Sequence, residues 1–375
     1  MYPLKSLQQS PLISKVRSWL KKALNHDALL ALAITLTVIA AGIALAAYSN
    51  QTIPITPDVQ AHYQAESWTH LNFLSNWDGP IYLRISQHGY ATGETGFFPL
   101  YPLLVHLVTY VLRSPLVSAL AVAWLAMWGA VYYYLQIART MLRVTKKRQL
   151  VEAVLPFVLF PTGVFLFATY TESLLALCTL AAVYNALKKR PLLAGAWAML
   201  ASATHLEGIF IILFIVLTLY RQGERHWRIA LSAVMGSLGL AAYMIFLNLK
   251  FHNPVQFLSD QRHNAWLNGN YLHQLATSAT AFGIICFLLL CVSIVYWWPR
   301  WRRMALYSLL FLLIPLAGGN FGGFSRYCLV VFPAQLMLFK HFRARQLAYL
   351  ILIAFMSIAW AFYVIHYAAG YTGGA

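Results

Sequence analysis

The sequence predicts an all-α membrane protein whose helices cross the bilayer many times. Hydrophobic residues make up 60% of the 375 residues and charged residues only 10%, whereas soluble domains carry roughly 25% charged residues. The apolar residues lie in long runs separated by short basic clusters. Because a chain of this length could not bury so much apolar surface in water, the bilayer is the solvent that makes it stable. We expect one integral membrane domain over residues 1–375.

The basic clusters predict the orientation, because Lys and Arg concentrate in the cytoplasmic segments of membrane proteins. Residues 1–27 are basic and amphipathic, which indicates a helix on the cytoplasmic membrane surface. Placing the basic clusters inside gives about eleven transmembrane helices, a cytoplasmic N-terminus and an outer C-terminus. This topology explains the net charge of +17, so we expect no nucleic-acid partner. The other clusters lie at 139–148, 188–190, 221–228, 300–303 and 340–345.

The predicted spans follow the apolar runs. Basic clusters flank both ends of 192–220, so this stretch should break into two short helices near residues 204–208, with both ends cytoplasmic. The predicted spans are 28–48, 117–138, 151–168, 172–187, the two halves of 192–220, 229–249, 275–297, 306–316, 327–339 and 347–367.

The longest polar segment follows the first span and forms a predicted outer loop over residues 49–112. At its centre is Trp77-Asp78-Gly79, followed by proline. An Asp before Gly-Pro is typical of a turn or a helix cap. The other interpretation is a general base that takes a proton from an acceptor hydroxyl. We favour the base, because a carboxylate near the bilayer is costly unless it lines a wet cavity.

The rest of this loop supplies further candidates. Residues 59–74 predict a short helix, and residues 97–112, rich in aromatics and proline, predict a helix in the outer interface. We interpret this second segment as a structural wall, with Tyr101 as a candidate substrate contact. Tyr82 and Arg84 follow the central motif closely and are candidate substrate-binding residues, as is Trp77.

Two polar sites lie beyond the loop. Tyr170 and Glu172 are predicted at the same outer level as Asp78; Thr171 capping the next helix and a contact to substrate hydroxyls both remain open. His205 and Glu207 lie at the predicted helix break. They could be a mutually satisfied polar pair, but we favour a role in positioning the donor or acceptor, because ionisable residues inside membranes are usually functional.

A glycine-rich stretch, residues 318–326, leads to Arg326 and Tyr327. It could be a flexible turn with one tolerated arginine. We favour an arginine that binds the phosphate of a lipid-linked donor, because glycine lets the backbone approach closely. The basic residues predicted on the outer side are Arg84, Arg113, Lys250, Arg262 and Arg326.

No metal site or cofactor is expected. The 12 histidines are scattered, and no His, Asp or Glu group has metal-ligand spacing. The sequence also lacks a Walker motif, a Rossmann glycine fingerprint and an Asp-x-Asp motif, which disfavours a nucleotide-sugar pocket and favours a lipid-phosphate sugar. The four cysteines lie in or beside apolar runs and are expected to be buried and without redox function. They are Cys178, Cys286, Cys291 and Cys328.

Several motifs, in the same order, resemble the GPI mannosyltransferase II (PIG-V) family and its bacterial relatives; the compact length fits a bacterial relative better. The motifs are Trp77-Asp78-Gly79 with Tyr82, Gly89-Tyr90, Phe97-Phe98-Pro99-Leu100-Tyr101-Pro102, Pro161 with Tyr170-Thr171-Glu172-Ser173-Leu174, and Ser325-Arg326-Tyr327 with Phe332-Pro333.

This resemblance implies a GT-C glycosyltransferase fold and an inverting transfer from a polyprenyl- or dolichyl-phosphate sugar. The family's catalytic acidic residue in the first outer loop maps to Asp78. One departure is Thr204-His205, where the family has Thr-Arg. Mannose is therefore only the favoured donor sugar.

We thus expect a mannosyltransferase in the plasma membrane, with its active site on the outer face. Its partners would be a polyprenyl-phosphate sugar donor, a glycolipid or glycan acceptor, and the bilayer. The main alternative is a transporter or flippase of a lipid-linked sugar, although the large outer loop has no counterpart in the second half of the chain. A purely structural membrane subunit would not need carboxylates and arginine facing a cavity.

Overall fold

The computed structural model describes residues 26–56, 71–263, 281–318 and 323–371. In these ranges the chain forms helices joined by turns, without a strand, which confirms the all-α prediction. The α-helices are α1 His26–Thr52, α2 Asp78–His88, α3 Leu100–Leu112, α4 Pro115–Leu142, α5 Lys147–Val158, α6 Glu172–Leu187, α7 Pro191–Thr204, α8 Ile211–Arg221, α9 His226–Phe251, α10 Gln256–His263, α11 Ala281–Trp297, α12 Arg302–Gly318, α13 Phe324–Leu329, α14 Phe332–Phe342 and α15 Gln346–Ala368. Short 3-10 helices cover Asn72–Leu74, Gly163–Leu166 and Leu206–Phe210.

Four of these helices, α1, α4, α9 and α15, are long and apolar enough to cross a bilayer. Each contains one predicted span. Shorter apolar helices, α3, α6, α7 and α11, accompany them, and α6 has the same bounds as the predicted span 172–187. These helices indicate a multi-pass membrane protein. The full number of spans and their orientation remain predictions.

The predicted break in 192–220 is confirmed. Helix α7 ends at Thr204, a 3-10 helix covers Leu206–Phe210, and α8 begins at Ile211. Gly208 allows this turn, because a Cβ there would collide with the backbone carbonyl of Ala201.

Two predicted spans are interrupted. We expect Pro156 and Pro161 to bend the outer half of 151–168, and the structure interrupts the helix before Pro161. The span 151–168 stops at Val158 and continues as a separate 3-10 helix; Pro161 cannot donate an intrahelical hydrogen bond. The span 327–339 is divided between α13 and α14. Pro333 lies in the first turn of α14; because it has no N–H, it cannot donate to the carbonyl oxygen of Leu329 and continue α13.

Some predictions fall on residues that the structure does not describe. These include the amphipathic N-terminus up to residue 25, most of the predicted helix 59–74, the start of the span 275–297, and residues 319–322. The described end of 59–74 contains the short 3-10 helix Asn72–Leu74. The predicted interfacial helix 97–112 begins at Leu100, after Pro99.

Helices α7 and α9 pack with their backbones in close contact. A Cβ at Gly195 of α7 would lie 2.8 Å from the carbonyl oxygen of Ser232, and one at Gly236 of α9 would lie 3.0 Å from the Cβ of Ala198. A Cβ at Gly239 would collide with the carbonyl oxygen of Met199. The small residues at this contact let the two helices approach each other, as is usual where membrane helices pack closely.

Large apolar side chains cover the outside of the bundle. Leu249, Val295, Leu347 and Ile358 are each at least 70% exposed. In water such a surface would promote aggregation, but in a bilayer it faces hydrocarbon.

We expect Gly239→Ala to destabilise the protein by about 1–3 kcal/mol, the usual effect of overpacking a close contact. The new methyl group would meet backbone atoms of α7, which cannot move aside alone. Gly129→Ala is the matched control, because its Cβ would meet only the end of the Leu177 side chain. Thermal melting of the detergent-solubilised variants measures the difference. Equal melting temperatures would show that the two helices are not in such close contact.

Candidate functional site

A buried arginine brings three distant parts of the chain together. Arg326 of α13 is 9% exposed. Its Nη1 donates a hydrogen bond of 2.5 Å to Oδ2 of Asp78, and its Nε lies 3.0 Å from Oε1 of Glu172. We call Asp78, Glu172 and Arg326 the ion triad. The two carboxylates occupy the first residues of α2 and α6, where the helix dipole favours negative charge.

Aromatic rings surround the guanidinium group of Arg326. Its central carbon lies 5.4 Å from the ring centre of Tyr170, 5.5 Å from that of Tyr327 and 5.7 Å from that of Phe165. Such rings attract a cation through their faces. They also exclude water from part of the site, which strengthens the ion pairs.

Tyr170 fixes the backbone that carries Asp78. Its hydroxyl donates to the carbonyl oxygen of Asn76 at 3.0 Å and accepts the backbone N–H of Asp78 at 3.2 Å. Tyr170 is fully buried. Its hydroxyl is therefore engaged in positioning Asp78.

The backbone just before Asp78 is strained. Trp77 has φ 60° and ψ −106°, a conformation that bulky residues rarely adopt. Its buried indole Nε1 has no hydrogen-bond partner among the described residues. The position after Asp78 needs glycine, because a Cβ at Gly79 would collide with the hydroxyl of Thr169 and lie 2.9 Å from that of Ser75.

Tyr82 and Tyr101 form an aromatic wall behind Asp78. Both are buried, and their rings meet edge to face with centres 5.3 Å apart. The Tyr101 hydroxyl donates to the carbonyl oxygen of Ala119 at 3.0 Å, which agrees with a structural wall. The Tyr82 hydroxyl lies 3.4 Å from that of Thr171, and burial raises the pKa of Tyr82 well above its usual value, so this phenol stays protonated.

The His205–Glu207 pair lies next to this site. His205 Nδ1 and a Glu207 carboxylate oxygen contact each other directly. The His205 ring centre is 5.5 Å from that of Tyr327 and 6.2 Å from that of Phe98. The structure therefore brings the predicted polar pair to the ion triad through Tyr327.

Arg84 contacts a different carboxylate. It forms an ion pair with Glu94, and its side chain is 44% exposed. Arg84 lies six residues after Asp78 on α2, which turns the two side chains about 120° apart around the helix axis. Arg326, rather than Arg84, is thus the arginine beside Asp78.

Sequence reasoning missed the contact that holds the outer loop. Oδ2 of Asp260, in α10, accepts hydrogen bonds from the Gly93 N–H at 3.0 Å, the Thr95 N–H at 3.1 Å and the Thr95 hydroxyl at 2.7 Å. Burial acts to raise the pKa of Asp260, but hydrogen bonds from Thr95 and Gln256 outweigh it, so the pKa lies below its usual value. The only sequence signal was an outer acidic residue without an assigned function.

The described residues contain no group of three or more His, Cys, Asp or Glu side chains that could hold a metal ion. The four cysteines are free, and three of them are buried. The polar groups at and around the ion triad are carboxylates, an arginine and aromatic hydroxyls.

The comparison with known families decides the class of protein. The model of the mannosyltransferase (PIG-V) family matches residues 45–296, more than half of the chain. The chain belongs to the PIG-V mannosyltransferase family. It is therefore a membrane glycosyltransferase of the hexosyltransferase class, as predicted. No curated protein matches the chain.

The PIG-V match includes most of the site. Asp78, Glu172 and the His205–Glu207 pair lie within the matched residues, whereas Arg326 and Tyr327 lie beyond them. The resemblance predicted from the sequence is confirmed over 45–296. The structure connects Arg326 to the matched part through its two ion pairs.

We expect Tyr170→Phe to destabilise the protein by about 1–3 kcal/mol, because it leaves the partly buried N–H of Asp78 without its acceptor. Tyr134→Phe is the matched control, since Tyr134 is also fully buried but its hydroxyl has no hydrogen-bond partner among the described residues. Thermal melting in detergent compares the two variants. A Tyr170→Phe protein as stable as Tyr134→Phe would contradict the positioning role.

Proposed function

We propose that this protein transfers mannose from a polyprenyl-phosphate donor to an acceptor hydroxyl, with inversion at the anomeric carbon. The ion triad carries this proposal, because it places a carboxylate and a cation side by side. An inverting transfer in which phosphate is the leaving group requires one base for the acceptor hydroxyl and one group that stabilises the departing phosphate.

Asp78 acts as the general base. Its carboxylate takes the proton of the acceptor hydroxyl as the hydroxyl oxygen bonds to C1 of the sugar. The bond between C1 and the phosphate oxygen breaks, and polyprenyl phosphate leaves with one additional negative charge. The Asp78 side chain is 18% exposed, which leaves it open to an acceptor, whereas Glu172 is almost completely buried.

Arg326 stabilises the leaving phosphate. Its Nη1 and Nε face Asp78 and Glu172, and no described contact involves its Nη2. Because guanidinium has five N–H donors in a fixed plane, Nη2 can donate to a phosphate oxygen while the ion pairs persist. Glu172 then acts by holding Arg326 in this orientation.

The remaining candidates shape the pocket. Trp77 supplies a free indole N–H, and Tyr82 and Tyr327 supply ring surface and hydroxyls. His205 and Glu207 lie close enough to Tyr327 to contact the donor or acceptor sugar. Tyr101 and Tyr170 support this arrangement from behind.

The wider architecture follows from the same proposal. We infer a GT-C-type bundle of about eleven spans with the N-terminus cytoplasmic and the ion triad near the outer face of the plasma membrane, since the charge distribution supports this orientation. The acceptor is a glycolipid or glycan that reaches the outer face. The membership of a transferase family favours catalysis over transport.

We expect Asp78→Asn to stay folded and to lose transfer about 10²–10⁴-fold, the usual contribution of a general base. The assay is sugar release from radiolabelled polyprenyl-phosphate mannose in membranes. Asp27→Asn is the matched control, because Asp27 forms a similar pair with Arg139 at 2.7 Å outside the site. Full activity of Asp78→Asn would reject the base and make Glu172 the next candidate.

We expect Arg326→Lys to lower kcat by about 10²–10³, the effect of removing one donor that stabilises a developing charge. Lysine keeps the positive charge but cannot reach both carboxylates and the phosphate. Arg84→Lys should change kcat little, since Arg84 pairs with Glu94. The reverse result, a loss with Arg84→Lys only, would assign the phosphate to Arg84.

A further inference from the structure

An apolar groove lies on the side of the bundle, apart from the ion triad. It has a volume of about 600 Å³, within the size range of ligand sites. The end of α2 and the first half of α3 form one wall, and α7 and α9 form the other. The lining includes Pro99, Leu103, Leu200, Leu238, Ala242 and Phe246.

The groove opens between apolar surfaces that face outward. On its rim Leu103 is 52% exposed, Leu238 47% and Phe246 39%. In a membrane protein these surfaces contact hydrocarbon. The chemistry of the lining and of the opening therefore fits a hydrocarbon chain that enters from the bilayer.

A polar recess continues from one side of the groove. It has a volume of about 310 Å³ and is lined by Thr109, Tyr110 and Arg113, and it shares Ser86, Gln87 and His106 with the groove. His106 closes the junction: its Nδ1–H donates to the carbonyl oxygen of Ser86 at 2.7 Å, and its Nε2 accepts from the hydroxyl of Tyr110 at 3.2 Å.

Arg113 is the charged group of this recess. It follows α3 in the left-handed conformation, with φ 58°, and it is exposed. The helix dipole favours a cation at this end of α3. The helix dipole alone would explain a cation at this position. It does not explain why the cation lines a recess that continues into an apolar groove. An exposed arginine in the recess complements an anionic group.

We propose that the groove and recess together bind an anionic phospholipid of the bilayer, with an acyl chain in the groove and the phosphate at Arg113. At 1.5 Å per residue, Leu103 and Arg113 are about 15 Å apart along α3, a distance that an acyl chain attached to its phosphate spans. The site includes no member of the ion triad, and the proposal assigns it an occupant other than the donor and the acceptor.

The test uses purified protein that has been delipidated in detergent. The protein is incubated with an equimolar mixture of phosphatidylglycerol and phosphatidylcholine that carry the same acyl chains. Native mass spectrometry then counts the lipids retained per chain. We expect one retained phosphatidylglycerol, in preference to phosphatidylcholine.

Two variants test the contact with the lipid head group and the contact with the acyl chain separately. Arg113→Gln should reduce the preference for phosphatidylglycerol about fivefold, the effect of one basic residue at an anionic lipid surface. Ala242→Trp, at an exposed position, should fill the groove and reduce retention of both lipids.

Each variant has a matched control. Arg143→Gln changes another exposed arginine that ends a helix with positive φ, and Ala230→Trp changes another exposed alanine of α9. Neither control should alter lipid retention. Size-exclusion elution shows that all four variants remain folded.

Three results would overturn the proposal. The first is no preference between the two lipids, and the second is an Arg113→Gln variant that keeps the preference; both would indicate only a general lipid coat. The third is displacement of phosphatidylglycerol by polyprenyl phosphate one for one, which would assign the groove to the donor. Asp78→Asn should retain the lipid, so this test is independent of the catalytic proposal.

Discussion

The candidate site depends on one buried cation, Arg326, held between two carboxylates. Asp78, Glu172 and Arg326 lie far apart in the chain, and their pairing brings the starts of α2 and α6 to α13. Burying charges costs several kcal/mol per ion unless partners and hydrogen bonds compensate. Because Arg326 has two carboxylate partners, it keeps one of them when the other is neutralised. The surrounding rings and the tyrosine that holds the Asp78 backbone serve to keep this geometry.

The candidate site contains buried polar atoms that have no hydrogen-bond partner among the described residues. One arginine faces two carboxylates, and Oε2 of Glu172 is buried with no hydrogen-bond partner among the described residues. Buried polar atoms of native proteins are nearly always paired. The indole Nε1 of Trp77 is also buried without a hydrogen-bond partner among the described residues. Unused acceptors and donors close to a strained backbone are typical of a site that a substrate completes, and sugar hydroxyls supply both kinds of partner.

Much of the fold can be predicted from the sequence, but the candidate site can be predicted only in part. Long apolar runs predict α1, α4, α9 and α15, and flanking basic clusters predict the break after Thr204. Sequence reasoning also selects Asp78 and Arg326 separately. It could not pair them, because Arg84 is much nearer in the chain, and only the helical rotation between Asp78 and Arg84 turns them apart. The bond from Asp260 to the outer loop is likewise a tertiary contact without a local pattern.

The structure also bears on the two interpretations of Asp78 as a helix cap or a reactive carboxylate. A capping Asp stands before the helix and accepts hydrogen bonds from its first N–H groups. Here Trp77 takes the cap position, no side chain caps α2, and the N–H of Asp78 is satisfied by the Tyr170 hydroxyl instead. The Asp78 carboxylate therefore does not cap the N-terminus of α2. It accepts a hydrogen bond from Arg326 instead, which agrees with the reactive carboxylate of the proposed function.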